Sequence, residues 1–365
     1  NSIEHSGEGA PGLNGTVPRG TIEWFQFSEG NTRSGWKICL REEVYGGVIW
    51  QKQYGSPGQD RAVEVGIMSD NSIAAAFDTT SSWNNSQDYS GGRDWVVMKL
   101  DADGNEEWTH QYGTGYGSDM QDLFVQNDKI LSSGTAAGRI IPDLASYGSR
   151  DAAFVQHDQY GEIVNKRQFG TSAWEYSTQA IMDATGNLYF CGTTQGTWEE
   201  SYSNAGGDDA WIMKTELDSG SQVWIYQNGT SGHDRLHKLQ FLNDGGLVAA
   251  GETQGSLFGE NFGGMDIFVL SLDVMGGSPQ WSRQLGTSGH DVVTALQVDF
   301  AGNVLLGGHT SGAWDGFTFA GGSWDVFVMR LDSEGNPDWT LQLGTVGADV
   351  LGNMRVDASN NLLLV

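Results

Sequence analysis

The sequence predicts an all-β fold, a β-propeller of six four-stranded blades, and three observations carry that expectation. A Gln-x-Gly pair recurs at Gln53/Gly55, Gln111/Gly113, Gln168/Gly170, Gln227/Gly229, Gln284/Gly286 and Gln342/Gly344, with glycine spacings of 58, 57, 59, 57 and 58 residues. Three residues before the glutamines stand Trp50, Trp108, Asn165, Trp224, Trp281 and Trp339, so the register holds along most of the chain. Each period holds four short apolar segments divided by turn residues, the strand count of a propeller blade.

The fifth copy displays these elements in order. Val292–Asp299 alternates apolar and polar residues, Asn303–Thr310 is more continuously apolar, Asp325–Asp332 alternates strongly, and Asn336–Gly344 carries Trp339. The first two are joined by "DFAGN" and the last two by "DSEGN", clusters in which Gly supplies the positive φ of a tight hairpin. The other connections are long, "TSGAWDGFTFAGGSWD" and "GTSGHD", and fall on the face opposite the hairpins.

At the ends, the chain stops at "NLLLV" after two strands of its last copy, and Gly35–Gly55 resembles the two strands that copy lacks. Trp36–Arg41 parallels Trp324–Arg330, so the N-terminal strands are expected to close the ring without exposed edges. A seven-bladed ring from a longer chain is the alternative, because Thr21–Phe27 is then an unassigned strand. Residues 1–20, rich in Gly, Pro and Asn, read as a flexible N-terminal segment, and 21–365 as one domain.

Composition narrows the function classes. The 365 residues include 53 Gly, 14 Trp and only 6 Pro, as expected of many strands joined by tight turns. With 46 acidic against 19 basic residues the net charge is −27, which repels phosphate backbones and argues against nucleic acid. The same charge suits cations, basic partners or simple solubility. No apolar run approaches the roughly 18 residues that span a bilayer, so membrane insertion is not expected. Cys39 and Cys191, each flanked by strand-like residues, read as two buried thiols and not as a disulfide framework. Sequons stand at Asn14, Asn84 and Asn228; Asn84, in a long loop, is the better glycosylation acceptor, and the Asn228 position is expected to be packed.

Two near-identical stretches, "QNGTSGHD" (Gln227–Asp234) and "QLGTSGHD" (Gln284–Asp291), place Ser, His and Asp together. Adjacent residues of an extended linker do not converge as a catalytic triad must. Moreover His233 and His290 are replaced by Gln59, Ser118, Trp174 and Ala348 in other copies, whereas the next position is Asp60, Asp119, Glu175, Asp234, Asp291 and Asp349. Those acids are expected to cap backbone amides where one blade enters the next. A second series, Asp94, Asp151, Asp209, Asp266 and Asp325, leads the third strands. Either series is a weak candidate for binding Ca²⁺; no other cofactor is expected. "DADGN" at Asp101–Asn105 is a hairpin turn and not an EF-hand, because the sixth and twelfth places hold Glu106 and Tyr112.

The long loops vary most and carry Trp83, Trp198, Trp314, Phe258, Phe262, Phe317 and Phe319, with Trp174 in a linker. Trp83, Trp174, Trp198, Trp314 and Phe317 are therefore the candidate contacts for a protein or glycan partner.

The pattern Trp-x-x-Gln-[Tyr/Phe/Leu]-Gly-Thr-Ser-Gly-x-Asp, followed by Asp-x-x-Gly-Asn, Gly-x-Thr, Gly-Gly-x-Asp and Leu-Asp-x-x-Gly, resembles the bacterial β-propeller repeat known as SBBP. The resemblance covers about Gly35–Val365 and is best kept in the fourth and fifth copies; Asn165 and the extra residue of "YGTGYGSD" depart from it. It implies a surface or secreted protein and no assigned activity. The leading expectation is a non-catalytic binding or assembly module, extracellular or on a cell surface. A propeller hydrolase or lyase using carboxylates at a central funnel, with Glu199, Glu200 and Asp315 as its only candidates, is the alternative, and a subunit of a larger complex is another.

Overall fold

Within each repeat the second and third apolar runs, such as "LVAAGET" and "DIFVLSL", have no polar face, so they must be covered on both sides. The computed structural model meets that demand with stacked antiparallel sheets. It describes residues 3–7, 21–29, 33–41, 48–83, 89–200, 202–216, 220–357 and 359–364, with side chains from Trp50 onward. Asn14 and Asn84 lie outside the described residues.

Among the described residues the strands form six four-stranded sheets and one two-stranded sheet, each ordered along the sequence. The first holds β1 (Ile3–Gly7), β2 (Thr21–Glu29), β3 (Arg33–Arg41) and β4 (Val48–Tyr54). The second holds β5 (Asp60–Ile67), β6 (Ile73–Thr79), β7 (Asp94–Leu100) and β8 (Glu106–Tyr112). The third holds β9 (Ser118–Gln126), β10 (Lys129–Ala136), β11 (Asp151–His157) and β12 (Ile163–Phe169). The fourth holds β13 (Glu175–Met182), β14 (Leu188–Thr194), β15 (Asp209–Thr215) and β16 (Gln222–Asn228). The fifth holds β17 (Asp234–Phe241), β18 (Leu247–Thr253), β19 (Asp266–Leu272) and β20 (Pro279–Leu285). The sixth holds β21 (Asp291–Val298), β22 (Val304–Thr310), β23 (Asp325–Leu331) and β24 (Pro337–Leu343), and β25 (Met354–Val356) pairs with β26 (Leu362–Leu364).

The expected partnership of the N-terminal strands is corrected. Thr21–Glu29, left unassigned by the ring-closure argument, pairs with β3 along its whole length, from Thr21↔Arg41 to Glu29↔Arg33. That edge of β3 is therefore satisfied inside its own sheet, and β25–β26 stands as a sheet of two strands. Ile3–Gly7, inside the segment read as flexible, pairs with β2.

The chain divides into two compact units, 1–177 and 178–365. In each, successive sheets are tied by the recurrent Trp. Trp50 Nε1 donates to Ala102 O (2.7 Å) and Trp108 Nε1 to Gln159 O (3.1 Å) in the first unit; Trp224 donates to Val274 O (3.0 Å) and Trp281 to Ser333 O (3.0 Å) in the second. Each bond runs from a fourth strand to the hairpin between the third and fourth strands of the next sheet. The hairpin glycine, Gly104, Gly161, Gly277 or Gly335, has positive φ and lies against that indole, with no room for a side chain. Apolar residues of one strand alternate between two cores. Trp95 and Val97 join Met120 and Leu123, whereas Val96 and Met98 join Ile73 and Phe77.

Candidate functional site

The recurrent polar residues are held by one another. The glutamine of each Gln-x-Gly pair donates through Nε2 to the acid that opens the third strand: Gln111 to Asp94 (3.0 Å), Gln168 to Asp151 (2.8 Å), Gln227 to Asp209 (2.9 Å), Gln284 to Asp266 (2.8 Å) and Gln342 to Asp325 (2.8 Å). The same amide nitrogen donates to a carbonyl of the long loop, that of Ser81, Gly138, Gly196, Gly255 or Gly312. Its oxygen accepts from a loop N–H, that of Trp83, Ile140, Trp198, Leu257 or Trp314. Each acid also accepts from a backbone N–H just upstream: Ser90, Tyr147, Ala205, Phe262 or Ala320. The clamp buries all five acids and fixes both ends of the long loop. It also explains the glycine. A Cβ on Gly113, Gly170, Gly229, Gly286 or Gly344 would overlap the carboxylate of Asp94, Asp151, Asp209, Asp266 or Asp325.

The linker acids do the second task. Asp60 accepts from Ser56 N (2.8 Å), Glu175 from Thr171 N (2.8 Å), Asp234 from Thr230 N (2.5 Å), Asp291 from Thr287 N (2.7 Å) and Asp349 from Thr345 N (2.6 Å). Asp119 is the exception, and its alignment is corrected. The extra residue of "YGTGYGSD" moves the frame, so Ser118 opens β9, is fully buried, and donates its N–H to Arg93 O (2.6 Å), as Asp234 does to Asp208 O and Asp291 to Met265 O. Asp119 is thereby released from capping. Burial raises its carboxyl, but hydrogen bonds from Arg150 Nη1 (2.8 Å) and Arg93 Nη1 (2.7 Å) outweigh that and hold it below the usual range.

The loop aromatics are also corrected. Trp83 and Trp314 are buried, at 4% and 8% exposure, and cannot present a face to a partner. Trp83 lies on Phe77 (centroids 4.3 Å), Trp198 on Trp211 (5.2 Å), Phe258 on Phe268 (5.6 Å) and Trp314 on Phe327 (5.4 Å). They are plugs hung from the glutamine clamp over the ends of four sheets, a repeated place that differing loop lengths conceal. Phe317 packs on the core that contains Trp314. Trp174 alone among the five candidates is exposed, at 52%, with the Arg150 guanidinium 5.8 Å from its ring. Glu199, Glu200 and Asp315 are exposed. Asn228 is half-buried and its amide donates to Tyr226 Oη (3.2 Å).

What remains free lies beside the frame. The residue before the clamp acid is Arg93, Arg150, Asp208, Met265 or Trp324. The residue at the penultimate place of the second strand is Asp78, Thr135, Thr193, Glu252 or His309. The long loop and the linker meet at this end, since Gly207 N donates to Gly232 O (3.0 Å) and Gly264 N to Gly289 O (2.7 Å). The variable residues therefore gather there.

In the first unit they form a band of ion pairs. Besides Asp119 with Arg93 and Arg150, Arg61 Nε donates to Asp78 Oδ2 (2.9 Å) and Arg61 Nη2 to Met120 O (2.8 Å). Burial pushes the Asp78 carboxyl up to about 6, against the pull of Arg61 and of Met120 N–H. In the second unit Asp208 accepts from Gln195 Nε2 (2.9 Å) and Arg235 Nη2 (3.2 Å), and His233 Nδ1 lies 2.8 Å from it. Burial raises Asp208, but these bonds keep it below the usual range, so it stays ionised. Glu252, 5% exposed, has Oε1 3.4 Å from His237 Nε2 and 3.8 Å from Arg235 Nη1. By contrast His290 takes a backbone bond, with Met265 N donating to its Nδ1 (3.2 Å).

Asp208 and Glu252 escaped the sequence reading. The signal was present in the Asp208-Asp209 doublet, where every other copy has a non-acidic residue before the clamp acid. Among the described residues no three His, Cys, Asp or Glu side chains gather closely enough to hold a metal ion.

Comparison with known proteins bears on the frame. Residues 280–313 match the family model SBBP, described as Beta-propeller repeat. No curated protein matches the chain. Among solved structures, Drosophila Plexin A in complex with Semaphorin 1b is 8% identical, covering 99% of this chain and 83% of that one, with a TM-score of 0.54. The Plexin A4 full extracellular region is 9% identical over 95% and 44% of the two chains, with a TM-score of 0.53. A protein of unknown function from Bacteroides caccae is 13% identical over 88% and 93%, with a TM-score of 0.44. At these identities the plexin likeness is one of fold. The chain is thus similar to the SBBP β-propeller repeat over residues 280–313, it builds the same clamp five times, and its fold is propeller-like.

Proposed function

We propose that the chain is a non-catalytic binding module, which takes a protein or glycan partner at the end of the sheets where long loops and linkers meet. One observation carries this reading. Apart from Trp339 and Asp119, the recurrent Gln, Trp and acid side chains described above are consumed by the clamp, the cap or the Trp–hairpin tie, whereas charged and aromatic residues vary at places the frame leaves free. A fixed frame with interchangeable positions at one end suits recognition better than chemistry. Asp208 is fully hydrogen-bonded and ionised, which leaves it no proton to donate as a general acid.

The finer points belong to the same reading. The sheets are blades, and six of them are four-stranded among the described residues, in keeping with a reading of six blades. An extracellular or cell-surface setting follows from the SBBP resemblance. Surface plasmon resonance of the full chain against glycans and basic proteins tests the function. A captured partner should bind roughly tenfold more weakly to Trp174→Ala or to Arg235→Ala, with thermal unfolding unchanged. Binding that ignores substitutions at the variable places of both units would sink the proposal.

A further inference from the structure

Exposed aromatic rings are shared unevenly between the two units. Where long loop and linker meet, the first unit presents Tyr89 and Tyr116 at its second sheet, and Tyr147 and Trp174 at its third. Among the described residues the same turns of the second unit expose one large ring, Phe262. Tyr116 is 87% exposed and Trp174 52%, and neither ring supports the core. The two aromatic pairs belong to one surface. Ser118 N donates to Arg93 O (2.6 Å) and Ser149 N to Ala173 O (3.2 Å), so each loop lies against its linker. Asp119 then joins the pairs, taking Arg93 Nη1 on one oxygen (2.7 Å) and Arg150 Nη1 on the other (2.8 Å). Arg150 in turn lies 5.8 Å from the Trp174 ring.

The chemistry of this surface points to a sugar. Large apolar side chains exposed at this end of the first unit are all aromatic; the aliphatic ones, Ile163 and Val164, stand on β12 at the hairpin end. A protein partner is held by a continuous desolvated patch, whereas here charged groups lie between the aromatic pairs. The flat C–H face of a pyranose covers one aromatic ring, and its hydroxyls both donate and accept. The ground between the rings supplies both kinds of partner. Each guanidinium gives one nitrogen to Asp119 and keeps the rest of its fork as donors, while the carboxylate is an acceptor. The side chains of Arg93, Arg150 and Asp119 are all partly exposed, so a ligand reaches them. An acidic sugar fits less well. Asp119 already holds the two arginines, and the net charge of −27 repels an anion at long range.

We infer that this surface binds a neutral oligosaccharide, with sugar rings on Trp174 and Tyr116 and hydroxyls on the Arg93–Asp119–Arg150 bridge between them. This rests on the binding-module reading and names the ligand class of one of its sites. The test is calorimetric titration of the full chain with cellohexaose, maltohexaose, mannohexaose and xylohexaose, against the acidic hexagalacturonate. Saturable binding of a neutral hexasaccharide in preference to the acidic one is expected. Trp174→Ala should weaken it roughly tenfold and Tyr116→Ala several-fold. Thermal unfolding should be unchanged in both, because both rings are exposed. Phe262→Ala, in the second unit, should leave the affinity as it was. Failure of every neutral probe, preference for hexagalacturonate, unchanged affinity in both ring variants, or an equal loss in Phe262→Ala overturns the inference. If every sugar fails while a captured protein still loses affinity to Trp174→Ala, this inference falls and the broader reading stands.

Discussion

The ion-pair band of the first unit and the cluster of the second are the same frame with the charges exchanged. In the first, Asp119 sits on the opening strand and takes Arg93 and Arg150 from the places before the clamp acids. In the second, the acid is Asp208, at Arg150's own place in the repeat, and the arginine, Arg235, stands on the opening strand. One residue beyond Asp208, Asp209 makes the bonds that Asp151 makes in the first unit. Neighbours in sequence thus obey different constraints. Asp209 is fixed by the clamp, and Asp208 is free to be Arg, Met or Trp in other copies.

The largest expected effect breaks the common part. Asp209→Ala leaves the amides of Gln227 and Ala205 without their acceptor inside a closed clamp. It should cost about 3 kcal/mol in denaturant unfolding, and Asp151→Ala should cost about as much. Unequal losses, or losses near zero, would show that the clamp is not the shared frame.

The next effect is read by pH in the first unit. His157 is fully buried, 2.7 Å from Tyr112 Oη and stacked on His110 at 5.2 Å. Burial and then the neighbouring His110 push its pKa down to about 3. The unfolded chain binds the proton near 6.5, so stability is complete above that pH and falls as pH drops from 6.5 towards 3. At pH 5 the loss is about 2 kcal/mol. His157→Phe, which cannot be protonated, should flatten that slope. A slope unchanged by the substitution would remove His157 from the account.

How much of this was legible follows from which residues repeat. Gln, Gly, Trp and the acid before the third strand recur at a period of 57 to 59 residues because each is one corner of a bonded set. The fold could therefore be read from them. The site could not, because its members are what does not recur. One inserted residue was enough to set Asp119 in the place that Ser118 holds, since the linker lengthens without disturbing the pairing of Ala136 with Ser118. Trp83 and Trp314 looked variable because their loops differ in length, yet Gln111 and Gln342 pin their backbone N–H groups to equivalent points. Spacing counts residues along a loop, whereas the clamp fixes only where the loop touches down.

The smallest effect tests the exchange of charge itself. Asp119→Asn and Asp208→Asn each remove a carboxylate from partly exposed arginines, the side chains of Arg93, Arg150 and Arg235 being 30–41% exposed. Solvent screens such pairs, so each change should cost about 1 kcal/mol or less. The informative quantity is the coupling in double-mutant cycles of Asp119 with Arg150 and of Asp208 with Arg235. Couplings of the same sign and similar size would mean that the two clusters are interchangeable solutions to packing at this end of the sheets. A coupling near zero for Asp208 and Arg235 would mean that Arg235 is held loosely by the fold.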